Sequence, residues 1–261
     1  MTSPTGPARA APGARDAVFA QLSDAGRAEQ VARRLADAIV LGVLLPGERL
    51  PSEAELSRRF GVALVTAREG LGMLRDAGLV ETRRGRDGGS FVVDDAGRAA
   101  GRDDAFLEAR LRGLSQVELT DLAVYVSTIS EGCAARAAER STPADDARLN
   151  AWLASADFGS AAAARRDAAG FFLELAVLSQ STRLVREQIR LQAEFGPLLW
   201  LGMREGALRA RASASAGSIA AAVSRRDAAG ARAEVTALVA LIAEWLLAAK
   251  LRVQRGGALD G

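Results

Sequence analysis

The chain contains no histidine, one cysteine (Cys133), one lysine (Lys250) and one tyrosine (Tyr125) among its 261 residues. Each scarcity removes a class of function. Without histidine there is no Ser-His or Cys-His nucleophile pair and no imidazole general base. A single cysteine closes no intrachain disulfide, and Cys133 lies in an Ala-rich helical stretch, where it reads as a small core residue. Aromatic residues make up only 5%, and strand-like runs all but vanish after residue 93, so the second half should be helical. No apolar run approaches the roughly 20 residues a membrane span needs, and no signal peptide opens the chain. A cytoplasmic protein without a membrane partner is expected. No glycine-rich phosphate loop follows a strand, and no metal-ligand spacing occurs. The adjacent carboxylates of Asp103-Asp104 and Asp145-Asp146 point to different faces and read as solvated or helix-capping charges. Tyr125, mid-helix among apolar residues, reads as core. The chain should not be an enzyme.

Arginine supplies nearly all the basic charge, and 34 basic residues against 32 acidic ones leave a net charge of only +2. A case for an anionic partner must therefore rest on local clusters. These occur at Arg58-Arg59, at Arg68, and at Arg83-Arg84 with Arg86. They sit within a recognisable pattern. Arg27 to about Leu41 is amphipathic, with Val31, Leu35, Ala38 and Ile39 on one face and Gly42 placed to end it. Ser52 is a good N-cap, and Glu53 and Glu55 put carboxylates in the first turn of a short helix carrying Leu56 and Phe60 inward. Gly61 stops it. A second helix follows, with Ala67, Leu71 and Leu74 inward and Leu64, Thr66 and Arg68 pointing elsewhere; Gly78 ends it. Val80 to Arg84 alternates like a strand, Gly85 to Gly89 is a turn, and Ser90 to Val93 returns. Two short helices at a tight turn, then a two-stranded wing, form the geometry that lays a helix into the DNA major groove.

At these residues the chain resembles the GntR family of bacterial transcription regulators. The resemblance runs from about Ala28 to Val93 without a gap. It includes Pro46-Gly-x-x-Leu-Pro-Ser-Glu53, Gly61-Val62, Arg68-Glu69, Leu74, Gly78-Leu79-Val80 and the Arg- and Gly-rich wing ending in Phe91-Val92. It implies a sequence-specific DNA-binding regulator, expected to be a repressor, that reads a palindromic double-stranded operator as a homodimer. The residues expected at the DNA are Ser52, Glu53, Leu64, Val65 and Thr66, then Arg68 and the wing residues Arg83, Arg84, Gly85 and Arg86. Arg68 can pair bidentately with a guanine, and Arg84 can reach the minor groove or its phosphates. The family usually places Ser or Thr, then Arg, then a small polar residue where this chain has Ala63, Leu64 and Val65, and Ala54 stands where a phosphate-contacting Arg is common. Fewer polar contacts and a different operator follow, with Leu64 and Val65 able to touch a thymine methyl group. The competing reading is a degenerate dimer that acts through protein contacts without reading DNA.

The expected organisation is a flexible segment over 1–24, rich in Pro, Gly, Ala and Ser, a winged helix-turn-helix DNA-binding domain (α+β) over 25–93, a linker over 94–104, and an all-α antiparallel bundle over 105–255 for effector binding and dimerisation. Within the bundle, helices are expected from Ser115 to Arg140, Thr142 to Leu153, Ala161 to Ser179, Thr182 to Glu205, Leu208 to Ser224 and Asp227 to Val253. This half resembles the ligand-sensing domain of the FadR subgroup, often called FCD. The resemblance is carried by Ala137-Ala138-Glu139-Arg140, Phe171 with Ser179 to Leu184, and Ser224-Arg-Arg-Asp227-Ala-Ala. Many members bind a divalent metal through an Asp and three His. The matching positions here are Ala168, Phe172, Ala216 and Leu238, and Val126 replaces an Arg that faces the same cavity. No metal and no other cofactor is expected. Two alternatives remain open: a cavity lined by these five residues that takes an apolar or amphipathic effector, or closure into ordinary core.

Overall fold

The structure, a computed structural model, describes residues 26–85, 88–93 and 104–255. The chain divides into two compact units between Arg102 and Asp103. In the first, α1 (Arg27–Val40) buries Val31, Leu35, Ala38 and Ile39, the i, i+4, i+7, i+8 stripe of an amphipathic helix. Gly42 ends it at φ 72°. The Gly42 amide bonds to the Ile39 carbonyl at 3.0 Å and the Val43 amide to that of Ala38 at 2.8 Å, satisfying carbonyls a helix end would orphan. Helix α2 (Glu53–Phe60) starts at Ser52, whose hydroxyl accepts from the Glu55 amide at 3.2 Å, and it buries Leu56 and Phe60 completely. Gly61, left-handed at φ 66°, opens the turn to α3 (Leu64–Asp76). The Ser57 hydroxyl donates across that turn to the Val62 carbonyl at 2.7 Å. Ala63 gives α3 no side-chain cap, as its side chain requires. Gly78 closes α3 with the same pair of bonds that closes α1.

The wing pairs β1 (Val80–Arg83) antiparallel to β2 (Gly89–Val92), with Val80 opposite Val92 and Arg83 opposite Gly89. The segment before α2 adds to it. Gly47 and Leu50 donate to Val92 and Ser90 at 2.9 and 2.8 Å, and the Val92 amide donates to Glu48 at 2.9 Å. Arg49 and Phe91 thus form a bridge beside a wing that the sequence pattern gives only two strands.

Helix α3 approaches α1 closely, and Gly70 is the reason. A Cβ built there would lie 2.7 Å from Val31 Cγ1 and 3.0 Å from the Ala28 carbonyl oxygen. No hydrogen on that carbon would fit.

In the second unit, α4 (Asp104–Gly113) is followed by α5 (Gln116–Arg140), α6 (Pro143–Ser155), α7 (Ala161–Leu178) and α8 (Thr182–Leu199). A 3-10 turn over Trp200–Arg204, α9 (Gly206–Ser224) and α10 (Ala228–Gln254) complete it. Asp104, assigned to the linker by composition, is thus the first residue of α4. Ser115 with Glu118 and Thr142 with Asp145 form reciprocal capping boxes on α5 and α6, and Ser160, Ser181 and Asp227 cap α7, α8 and α10. The helix expected to run to Glu205 gives way to the 3-10 turn after Leu199. Pro197 lies just before this point, where it removes an amide and crowds the carbonyl four residues back. The two longest helices, α5 and α10, pack along each other. The one lysine is buried: Lys250 on α10 donates to the Leu111 and Arg112 carbonyls at 3.5 and 3.1 Å, capping the end of α4 with a cation.

Among the described residues two that are not glycine adopt left-handed backbone, Gln180 at φ 53° and Arg226 at φ 60°, and both reach the same corner. The Gln180 side chain donates to the Arg140 carbonyl at 3.1 Å. Arg226 clasps both carboxylate oxygens of Asp146 at 2.9 Å and the Ser141 hydroxyl at 2.8 Å. The Arg226 hydrogen bonds hold the Asp146 carboxyl below the usual carboxylate range.

Gly70→Ala tests the close approach in the first unit. Alanine is the better helix former by about 1 kcal/mol, yet the added carbon should overpack the α1–α3 contact and lower stability by about 1–3 kcal/mol. Urea unfolding of the two proteins decides which effect wins. A more stable variant would mean that the helices separate freely.

Candidate nucleic-acid interface and bundle interior

Burial in the first unit orients α3. Ala67, Gly70, Leu71 and Leu74 face the core, so helical periodicity turns Leu64, Val65, Arg68 and Glu69 outward. Leu64 is 46% and Val65 56% exposed, and Thr66 is partly covered. The Arg68 Nε donates to Glu53 Oε2 at 2.9 Å, joining the start of α2 to α3. The ion pair engages Nε, so the bidentate guanine pair that stays open to Arg68 is the one made through its two terminal nitrogens. Arg59 pairs with Glu55 at 2.7 Å. The Ser52 hydroxyl is engaged in its cap, while Ala54 and Arg58 are exposed.

On the wing, Arg83 pairs with Glu81 at 2.7 Å and lies 4.5 Å over the Phe91 ring, so it braces the hairpin. Arg84 and Gly85 are exposed at the tip. The turn requires its glycines. Gly85 has φ 115°, and a Cβ on Gly88 would lie 2.6 Å from the Arg83 carbonyl oxygen. Arg86 lies outside the described residues. The structure therefore joins Glu53 to Arg68 and exposes Leu64, Val65 and Arg84, whereas Arg83 is engaged within the wing.

In the second unit, Val126, Ala168, Phe172, Ala216 and Leu238 are each 2–5% exposed. They lie on α5, α7, α9 and α10, which pack as α5 with α7, α9 and α10, and α9 with α7 and α10. Phe172 stacks at a tilt on Trp200, 5.6 Å between centroids, and meets Phe171 edge-on at 5.9 Å. The metal known from the resembling family does not fit these positions, because an alkyl or phenyl side chain offers no donor atom. Among the described residues no three His, Cys, Asp or Glu side chains gather as a metal site.

The sequence pattern did not single out the polar groups in this interior. Gln188 is fully buried. Its carbonyl oxygen faces the Ser130 hydroxyl at 3.4 Å and the Cys133 thiol at 4.0 Å, while its amide nitrogen has no acceptor. Cys133 is inert there, since burial pushes its thiol up to about 12. Gln192 accepts from the Trp200 ring nitrogen at 2.9 Å. Glu174 is buried with one oxygen lacking a hydrogen bond, Arg148 stands 3.8 Å away, and desolvation raises its pKa. Tyr125, read as core, is half-buried and donates to Glu187 at 3.1 Å. Glutamine at positions 188 and 192 was the available signal, a polar pair four apart that falls on the apolar face of α8.

Residues 27–92 match the bacterial regulatory proteins of the gntR family. The chain is 39% identical over 184 residues to RmpR of Mycobacterium gastri, an HTH-type transcriptional regulator by name, covering 70% of this chain and 66% of that protein. It is 37% identical over 155 residues to the uncharacterized HTH-type transcriptional regulator Rv0494 of Mycobacterium tuberculosis, covering 59% of this chain and 61% of that one. The chain thus spans just under two thirds of the length of these relatives. The solved structure of E. coli McbR/YncC aligns with 86% of this chain and 99% of its own at 18% identity and a TM-score of 0.46.

Metal removal checks the donor argument. Protein purified without chelator should carry substoichiometric zinc, nickel and manganese by elemental analysis, and EDTA should leave its melting temperature unchanged. One tightly held ion per chain would overturn the reading of the interior.

Proposed function

Residues 27–92 match the gntR family of bacterial regulatory proteins, and on that premise we propose that the chain represses transcription as a homodimer bound to a palindromic operator. The observation that carries this is the outward face of α3, where Arg68 is exposed and braced by Glu53 within a winged domain that matches the family. A single winged helix buries too little surface for tight specific binding, and a two-fold dimer reads two half-sites. Ser52 and Glu53 would set the approach of α2, Leu64, Val65, Thr66 and Arg68 would meet base edges, and Arg84 with Gly85 and Arg86 would track the backbone beside the wing. Arg83 would act from within the hairpin.

The helical unit is proposed to be FCD-like and to sense a nonpolar or amphipathic small molecule without metal. The apolar character and shared burial of Val126, Ala168, Phe172, Ala216 and Leu238 support a nonpolar guest over a charged one. Such a ligand alters operator affinity only as far as it prefers one arrangement of the two DNA-binding domains. One observation favours the other reading, a dimer acting through protein contacts: Leu64 and Val65 are exposed where a polar reader is expected.

Fluorescence anisotropy against the gene's own upstream intergenic region separates the readings. Arg68→Ala should lose about 1–3 kcal/mol of specific affinity and relax choice at one base pair. It should do so also in a Glu53→Gln background, where no unpaired carboxylate is left facing phosphate. Arg84→Ala should weaken binding to all sequences and lower the salt slope by about 1. Equal operator affinity in wild type and Arg68→Ala would defeat the assignment.

For the sensor, a nonpolar ligand should raise the melting temperature by mass action. Ala216→Trp should abolish that response while DNA binding persists. Loss of DNA binding in Ala216→Trp, with the fold intact, would count against a separate sensing interior.

A further inference from the structure

We infer that Leu64 and Val65 read the 5-methyl groups of thymines in the major groove, so that operator choice by this chain depends on methyl contacts. The inference rests on the DNA-binding reading above and names what the start of α3 recognises.

Leu64 and Val65 are the first two residues of α3 and are 46% and 56% exposed. A solitary exposed aliphatic residue needs no explanation, but these two adjoin Arg68 on one helix face, at i, i+4 and i, i+3. Their occupant must therefore offer apolar surface beside anionic or acceptor groups. Of the four base-pair edges in the major groove, only thymine presents an apolar group, its methyl. Neither side chain can donate a hydrogen bond, so neither can read the acceptors of guanine or adenine. Charge complementarity favours the same occupant. Arg68 is 60% exposed at its side chain, and Arg58 on α2 and Arg84 on the wing are exposed as well. Arg68 next to the aliphatic pair further implies thymine neighbouring a guanine in each half-site.

The test begins with in vitro selection of the full chain on a randomised duplex library. In the enriched duplex each thymine is then replaced singly by uracil, which removes the methyl and keeps the pairing edge. At one or two positions per half-site uracil should weaken wild-type binding about fourfold per methyl, the effect of losing one buried carbon. The double variant Leu64→Ala, Val65→Ala, altered only at exposed positions and expected to keep its melting temperature, should bind the thymine and uracil duplexes equally. Equal wild-type affinity for both duplexes at every position would overturn the inference and leave the DNA reading standing, as would a thymine preference that survives in the double variant. Failure to enrich any sequence would overturn both, and would leave the aliphatic pair to a protein partner.

Discussion

Helix α3 lies against α1 at a distance that admits no side chain on residue 70, and this approach settles the orientation of everything that faces outward. With Gly70 against Val31 and the Ala28 carbonyl, the rotation of α3 about its axis is fixed, and Ala67, Leu71 and Leu74 follow into the core. Arg68 can then meet Glu53 from α2, and the first turn presents Leu64 and Val65 outward. The glycines at 42, 61 and 78 act on the same arrangement by stopping α1, α2 and α3 in left-handed backbone. Their turns aim each following segment, which is why short helices with modest cores hold a defined geometry.

Electrostatics in the first unit is a matter of pairing more than of excess. Glu53, Glu55 and Glu81 each hold an arginine, so the exposed surface carries less uncompensated charge than its arginine count suggests. Pairs this exposed contribute little to stability. Their effect is to fix where a guanidinium points, and orientation matters most for a planar donor set that must match a planar edge.

Much of this was legible in the sequence. The caps Ser52, Ser115 and Thr142, the helix-ending glycines and the inward residues of α1 to α3 stand where local patterning puts them, because each depends on neighbours a few positions away. What escaped reading depends on residues far apart. The Glu53–Arg68 pair spans fifteen positions and exists only through the angle between two helices. The bridge from Arg49 to the wing needs the loop folded back. Gly70 carries no turn signal and breaks no helix, so only the neighbouring helix reveals why it is there. The end of α8 at Leu199 is the exception: its mark, Pro197, is local, but the apolar pattern runs on through the 3-10 turn and hides it. In the interior, the family resemblance supplied Ala168, Phe172, Ala216 and Leu238, and helical spacing supplied Val126. Neither could show that Gln188 would be buried with its amide nitrogen unmatched.

Burial of Lys250 has a chemical corollary. It is the only lysine in the chain, and its ammonium group is held by the carbonyls that end α4. Every exposed cationic side chain among the described residues is therefore a guanidinium, which keeps its charge at any pH the cell reaches. Lysine acetylation has no exposed target among these residues, so it cannot tune their attraction for a polyanion. Amine-directed labels and cross-linkers find no exposed side-chain amine there either, and footprinting of this surface has to be done with arginine-selective reagents.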